Sequence, residues 1–120
     1  MEKRGLRGIP RLVRAAVCSV QGLRFAWKNQ EAFRLEVLAA LILIPLAFWW
    51  SEHAVERILL IGSVVLVMVV ELLNSAVETV VDRIGLEHHA LSGMAKDISS
   101  AAVLLTLLLV PFVWGMILLG

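Results

Sequence analysis

At 120 residues the chain has room for one domain. A hydrophobic fraction of 60% and a mean hydropathy of +0.89 exclude an ordinary soluble domain, which is nearer half apolar. Net charge is only +1, but Lys3, Arg4, Arg7, Arg11, Arg14, Arg24 and Lys28 precede position 30 against Glu2 alone. A basic start of this kind places the N-terminus in the cytoplasm by the positive-inside rule. The single Cys18 excludes an intrachain disulfide.

Residues 8–28, "GIPRLVRAAVCSVQGLRFAWK", carry Ile9, Leu12, Val13, Ala16, Val17 and Val20 at spacings of three and four, with Arg11, Arg14 and Gln21 elsewhere on the wheel. Pro10 suits the first turn of a helix. A basic amphipathic helix of this type lies in the membrane interface. The pattern alone fits a plain headgroup anchor as well as a helix that helps form a site.

Three uncharged blocks follow, at 37–50, 58–70 and 98–119. The third alone can cross a hydrocarbon core, which needs about 20 helical residues. The first reaches that length by taking in "EAFRLE", whose Arg34 and Glu36 can snorkel to the interface. The second reaches it by continuing through Glu71 to Val81. The spacing predicts spans over 29–50, 53–84 and 92–119, with Pro45 and Pro111 bending the first and third. Trp49 and Trp50 suit the outer interface and Trp27 the inner one, Trp114 falls near the outer end of the third span, and Gly85 suits a C-terminal cap. At about 32 residues and 1.5 Å each, the second helix measures roughly 48 Å, against about 30 Å of hydrocarbon. Its C-terminal end should project from the cytoplasmic face. The expected fold is an all-α membrane protein, one interfacial helix plus three transmembrane helices, with the N-terminus cytoplasmic and the C-terminus outside. No cleavable signal peptide is expected, because Arg24 and Lys28 interrupt the one candidate segment.

Polar residues break into the second block. In "VELLNSAVETVVDR", Glu71, Asn74, Ser75 and Glu78 stand at i, i+3, i+4 and i+7, one helical face. Glu71 follows thirteen uncharged residues, at the inner boundary of the hydrocarbon. An ionisable residue there costs on the order of 3 kcal/mol, so it needs a function or a partner. Glu78 lies two turns nearer water. Two carboxylates at different depths suit one base and one metal ligand, although the same groups can merely fix helix packing.

The inner loop "DRIGLEHHALSGMAKDISS" brings Asp82, Arg83, Glu87, His88, His89, Lys96 and Asp97 to the same membrane face. Cations and carboxylates beside headgroups suit a phosphate and its Mg²⁺, since hard cations take oxygen ligands and phosphoryl transfer needs charge neutralisation. His88 and His89 are adjacent, point in different directions and form no metal pair. Neither a Walker A motif nor GxGxxG is present.

"VELLNSAVETVVDRIG", followed by "LSGMAKDISSAAVLL", closely resembles the prokaryotic diacylglycerol kinase family. The likeness extends upstream through "AAVCSVQGLRFAWKNQEAFRLE" and across all three spans. It implies a homotrimer in the bacterial inner membrane, Mg²⁺·ATP-dependent phosphorylation of diacylglycerol to phosphatidic acid, and composite active sites between protomers at the cytoplasmic face. Carried over by motif, Glu71 is the general base for the lipid hydroxyl, Glu78 binds the metal that bridges the ATP phosphates, and Asn74 orients them. Lys96, through phosphate, and Asp97 contact the nucleotide; Glu87, His88 and His89 line its site, with Arg11 and Cys18. Ala15, Ala16, Arg24, Trp27, Glu31, Arg57, Ser100 and Trp114 match lipid-substrate positions. One position departs from the family. Where the family reads Asn-Glu and uses that Glu as a second metal ligand, this chain reads "NQEAFR". One residue rotates a side chain by about 100° on a helix. Gln30 ligates through its carbonyl, or Glu31 reaches round, or the metal leans on Glu78 alone. Weaker Mg²⁺ affinity is expected.

Two other functions compete: an undecaprenol kinase of the same family, and a small proton-coupled exporter with a membrane-embedded Glu. Against the exporter, Glu71 lies near one end of its span, and the polar cluster continues onto a phosphate-compatible loop. A purely structural subunit leaves the Glu71/Asn74/Glu78 face unexplained. Nucleic acid is not an expected partner. Gly62, Ser63, Ser75, Ala76, Ser99, Ser100, Ala101 and Ala102 mark expected close helix contacts; the number of protomers comes from the resemblance alone.

Overall fold

A computed structural model describes residues 7–85 and 89–120. The described chain is all helical: α1 (Ile9–Asn29), α2 (Glu31–Trp50), α3 (Ala54–Ile84) and α4 (Ala90–Leu119). The last three are each long and apolar enough to cross a membrane. Pro10 falls in the first turn of α1, where its missing N–H costs nothing. Pro45 and Pro111 lie inside α2 and α4, which continue through them. Gly85 caps α3 as expected, but with φ 175°, an extended backbone that any residue adopts.

Each break has its own set of bonds. Between α1 and α2, Gln30 alone leaves the helical conformation, at φ −119° and ψ 103°. Its N–H still donates to the Ala26 carbonyl at 2.8 Å, and its own carbonyl accepts from the Arg34 N–H at 3.2 Å. The Arg34 guanidinium donates through Nη1 to the Trp27 carbonyl at 2.9 Å and the Lys28 carbonyl at 3.1 Å. Those are among the last carbonyls of α1, which have no intrahelical donor. Arg34 therefore fastens a corner where the sequence led us to expect a snorkelling side chain. At the opposite end of α2, Arg57 does the same work. It donates to the Ser51 carbonyl at 2.6 Å and the Phe48 carbonyl at 3.0 Å, with its guanidinium 5.1 Å from the centre of the Phe48 ring. Ser51 Oγ donates to Glu56 within the same turn.

The central helix is α3, packed on α4 most extensively and on α2 beside it, while α1 rests on α2. Ala40 and Ala47 of α2 are buried against Leu60 and Val64 of α3 and Trp114 of α4. Small residues on α2 let the backbones approach closely, the usual device where lipid gives helices no hydrophobic drive to associate. Trp114 is buried, and its indole Nε1 donates to the Leu60 carbonyl at 3.2 Å. It is a core residue of the protomer. At Gly62 a Cβ would meet nothing within 4 Å, so this small residue makes no close helix contact within the protomer. Leu41, Ile42, Ile58, Leu105 and Phe112 are among many large apolar side chains left exposed. A perimeter of this kind belongs in lipid or against further copies of the chain.

Candidate active site

The polar face of α3 is turned inward. Glu71 is 5% exposed and Asn74 8%; Glu78, a turn further on, is half-buried. Asn74 Nδ2 donates to Glu78 Oε1 at 2.8 Å, and Asn74 Oδ1 accepts from Ser99 Oγ of α4 at 2.6 Å. Ser75 and Thr79 share this part of the helix, but their hydroxyls are spent on carbonyls four residues back, at 3.0 and 2.8 Å. The carboxylates and the amide are thus the groups left for chemistry.

Two further contacts frame this row. Lys96 Nζ of α4 lies 2.7 Å from Asp82 Oδ1 of α3, with the two side chains 43% and 49% exposed. On the other side the Glu36 carboxyl of α2 lies near that of Glu71. Its Oε1 is buried without a hydrogen-bond partner. Glu36 was not among the sequence candidates. Its signal was nonetheless present: it continues the row Ala40, Leu43, Ala47, at spacings of four, three and four, and that row packs inward.

Between α1 and α3 runs a cleft of about 680 Å³, with Ser19, Gly22, Leu23, Phe25 and Ala26 on one wall, Leu72, Ser75, Ala76, Thr79 and Val80 on the other, and Gln30 at the corner. Its lining is largely apolar. A second, smaller groove of about 160 Å³ between α2, α3 and α4 has Glu36 as its one polar lining residue.

The sequence candidates distribute unevenly over this geometry. Glu71, Asn74, Glu78 and Lys96 come together. Asp97 and Ser100, each one residue beyond Lys96 and Ser99, are exposed, as a 100° step on the helix requires. Gln30 lines the cleft and Glu31, the first residue of α2, is exposed. Because Gln30 belongs to neither helix, a simple helical rotation does not relate the two side chains. On α1, Ala15 and Cys18 are half-buried and Arg11, Ala16, Arg24 and Trp27 exposed. His89 caps α4, its Nδ1 accepting from the Leu91 N–H at 3.0 Å; Glu87 and His88 lie outside the described residues. Arg57 and Trp114 are not brought to the cluster. Arg57 precedes Glu71 by fourteen residues, about 21 Å along α3, and Trp114 bonds to Leu60, about 16 Å before Glu71 on the same helix.

The profile of the family described as prokaryotic diacylglycerol kinase matches residues 17–118. The chain belongs to the prokaryotic diacylglycerol kinase family. Among curated relatives, the diacylglycerol kinase of Haemophilus influenzae is 57% identical over 111 residues, covering 92% of this chain and 94% of that one. The Escherichia coli K12 diacylglycerol kinase is 51% identical over 111 residues, 92% of this chain and 91% of its own. That of Pseudomonas aeruginosa is 43% identical over 117 residues, 98% and 95% of the two chains. For this prokaryotic diacylglycerol kinase family member, a lipid kinase, the match runs from the middle of α1 almost to the end of α4, so the cluster, the cleft and the Gln30 corner all fall within it.

Proposed function

We propose that the protein phosphorylates diacylglycerol to phosphatidic acid at the cytoplasmic face of the bacterial inner membrane, using Mg²⁺·ATP. The observation that carries this reading is the row Glu71–Asn74–Glu78, its first two members buried, set among apolar helices beside the cleft between α1 and α3. A lipid with its tails in that cleft presents its primary hydroxyl towards α3. Glu71 accepts the hydroxyl proton as the oxygen attacks the γ-phosphorus. The bond from that phosphorus to the β-phosphate oxygen breaks, and ADP leaves. Glu36 faces Glu71 and orients it. Lys96 exchanges Asp82 for phosphate, and Asp97 and His89 border the nucleotide.

Among the described residues no three acidic, imidazole or thiol groups converge as a metal cage. Mg²⁺ carried on a triphosphate needs only one or two carboxylates from the protein, and Glu78 gives one, held by the Asn74 amide. Gln30 lines the cleft beside α3, and its carbonyl oxygen is the second ligand of this reading. The ion supplies charge neutralisation at the phosphates when bound. The exposed apolar perimeter suits a homotrimer whose sites are shared between protomers, with α1 in the interface, the N-terminus cytoplasmic and the C-terminus outside.

Diacylglycerol is favoured over undecaprenol because each of the relatives above bears the name diacylglycerol kinase. The test uses purified protein in mixed micelles with labelled ATP and either alcohol. Label in phosphatidic acid is the expected result. Label only in undecaprenyl phosphate overturns the substrate, and none in either lipid overturns the kinase reading.

A further inference from the structure

We propose that Ser99 is a positioning residue for the metal-binding carboxylate: through Asn74 it holds Glu78 in the orientation that meets the Mg²⁺ of a bound nucleotide. This rests on the assignment of Glu78 as a metal ligand made above. Ser99 touches no reacting group itself.

The two ends of an Asn side chain are not interchangeable, one donating and the other accepting. Here Nδ2 donates to Glu78 Oε1 at 2.8 Å, and Oδ1 accepts from Ser99 Oγ at 2.6 Å. Half a turn of the amide would set Oδ1 against the Glu78 carboxylate, acceptor to acceptor. The Ser99 hydroxyl opposes that turn, because its proton is directed at Oδ1. Its alternative acceptor, the Lys96 carbonyl, is more distant at 3.1 Å. Asn74 is 8% exposed, so water is poorly placed to take over the bond. A buried acceptor that loses its donor carries the full desolvation penalty, and the Asn74 side chain, no longer anchored on α4, holds Glu78 less firmly.

The arrangement also crosses helices. Ser99 comes from α4 and the other two residues from α3. One turn earlier on α4, Lys96 pairs with Asp82, one turn beyond Glu78 on α3. Glu78 therefore sits between two ties that fix the register of the helices, and only the Ser99 tie reaches its carboxylate.

Mn²⁺ substitutes for Mg²⁺ in the test, since its free-ion paramagnetic resonance signal falls on binding. The full chain in mixed micelles is titrated with Mn²⁺ in the presence of a non-hydrolysable ATP analogue, well below its melting temperature. Ser99→Ala should weaken Mn²⁺ binding about three- to tenfold, the loss of one neutral hydrogen bond, and raise the KM for Mg²⁺·ATP in step while the KM for the lipid stays put. Ser99→Thr, which keeps a hydroxyl at the same atom, should restore both. On an Asn74→Ala background Ser99→Ala should add nothing to the loss, since its effect passes through Asn74. Parent-like Mn²⁺ affinity in Ser99→Ala, with Glu78→Gln impaired, overturns the role of Ser99 alone. So does a loss that adds to that of Asn74→Ala. Unchanged affinity in Glu78→Gln overturns the metal assignment, and this proposal with it.

Discussion

Glu71→Gln should separate activity from stability and move them in opposite directions. The substitution keeps side-chain shape, and at 5% exposure that shape is what the surrounding helices pack against. It removes the proton acceptor. A positioned general base contributes about 10²- to 10⁴-fold, which at 1.36 kcal/mol per decade is about 3–5.5 kcal/mol of barrier. Stability should respond otherwise, because of Glu36. The Glu36 carboxyl faces Glu71, and its Oε1 is buried with no partner. The new amide brings an N–H donor to that carboxyl, and a net hydrogen bond of this kind contributes about 0.5–1.5 kcal/mol. The thermal midpoint in micelles should therefore hold or rise by a few degrees. The assays are initial rates with labelled ATP in mixed micelles, and thermal unfolding in those same micelles. A kcat within tenfold of the parent refutes the base assignment. A midpoint that falls by several degrees refutes the geometry drawn between Glu36 and Glu71.

Four other substitutions test separate parts of the description. Gln30→Glu places a carboxylate at the cleft corner and should lower the Mg²⁺ concentration for half-maximal rate several-fold; an unchanged Mg²⁺ dependence sinks the idea that position 30 contributes a ligand. Trp114→Phe removes the bond to the Leu60 carbonyl and should cost about 1 kcal/mol in unfolding with the KM for diacylglycerol unaltered, and a raised lipid KM would return Trp114 to the substrate site. Lys96→Met should raise the KM for Mg²⁺·ATP at least tenfold, as loss of a charge-assisted bond to phosphate does. Asp82→Asn breaks only a half-exposed pair, of a class worth at most about 1 kcal/mol, and should leave that KM within about fivefold. Equal effects from the two would mean Lys96 serves the helix pair and not the nucleotide.

The helices were legible because uncharged blocks of this length have few other structures open to them, and the polar face of α3 was legible because its members share one helix at fixed spacing. Contacts between helices were not. Glu36 lies thirty-five residues from Glu71 in sequence, and an acidic residue near the end of an apolar block reads equally as an interfacial anchor. Ser99 read as one more small residue, since nothing in "KDISSAAVLL" says which of two serines faces Asn74. The break between the interfacial helix and the first span was expected at 28–29, but Gln30, which carries the corner, is neither Gly nor Pro and so did not mark itself. Its cause is the Arg34 guanidinium, which satisfies two carbonyls at the end of α1 and so allows the helix to stop.

The apolar lining of the cleft between α1 and α3 bears on how the enzyme's kinetics should be expressed. A substrate held there keeps its hydrocarbon in hydrocarbon throughout, so hydrophobic transfer contributes almost nothing to its binding; both states are equally dry. Selection is left to the headgroup. The concentration that governs rate is then the mole fraction of the alcohol in the bilayer. Diluting the membrane with inert lipid should slow turnover, and diluting the suspension with buffer should not.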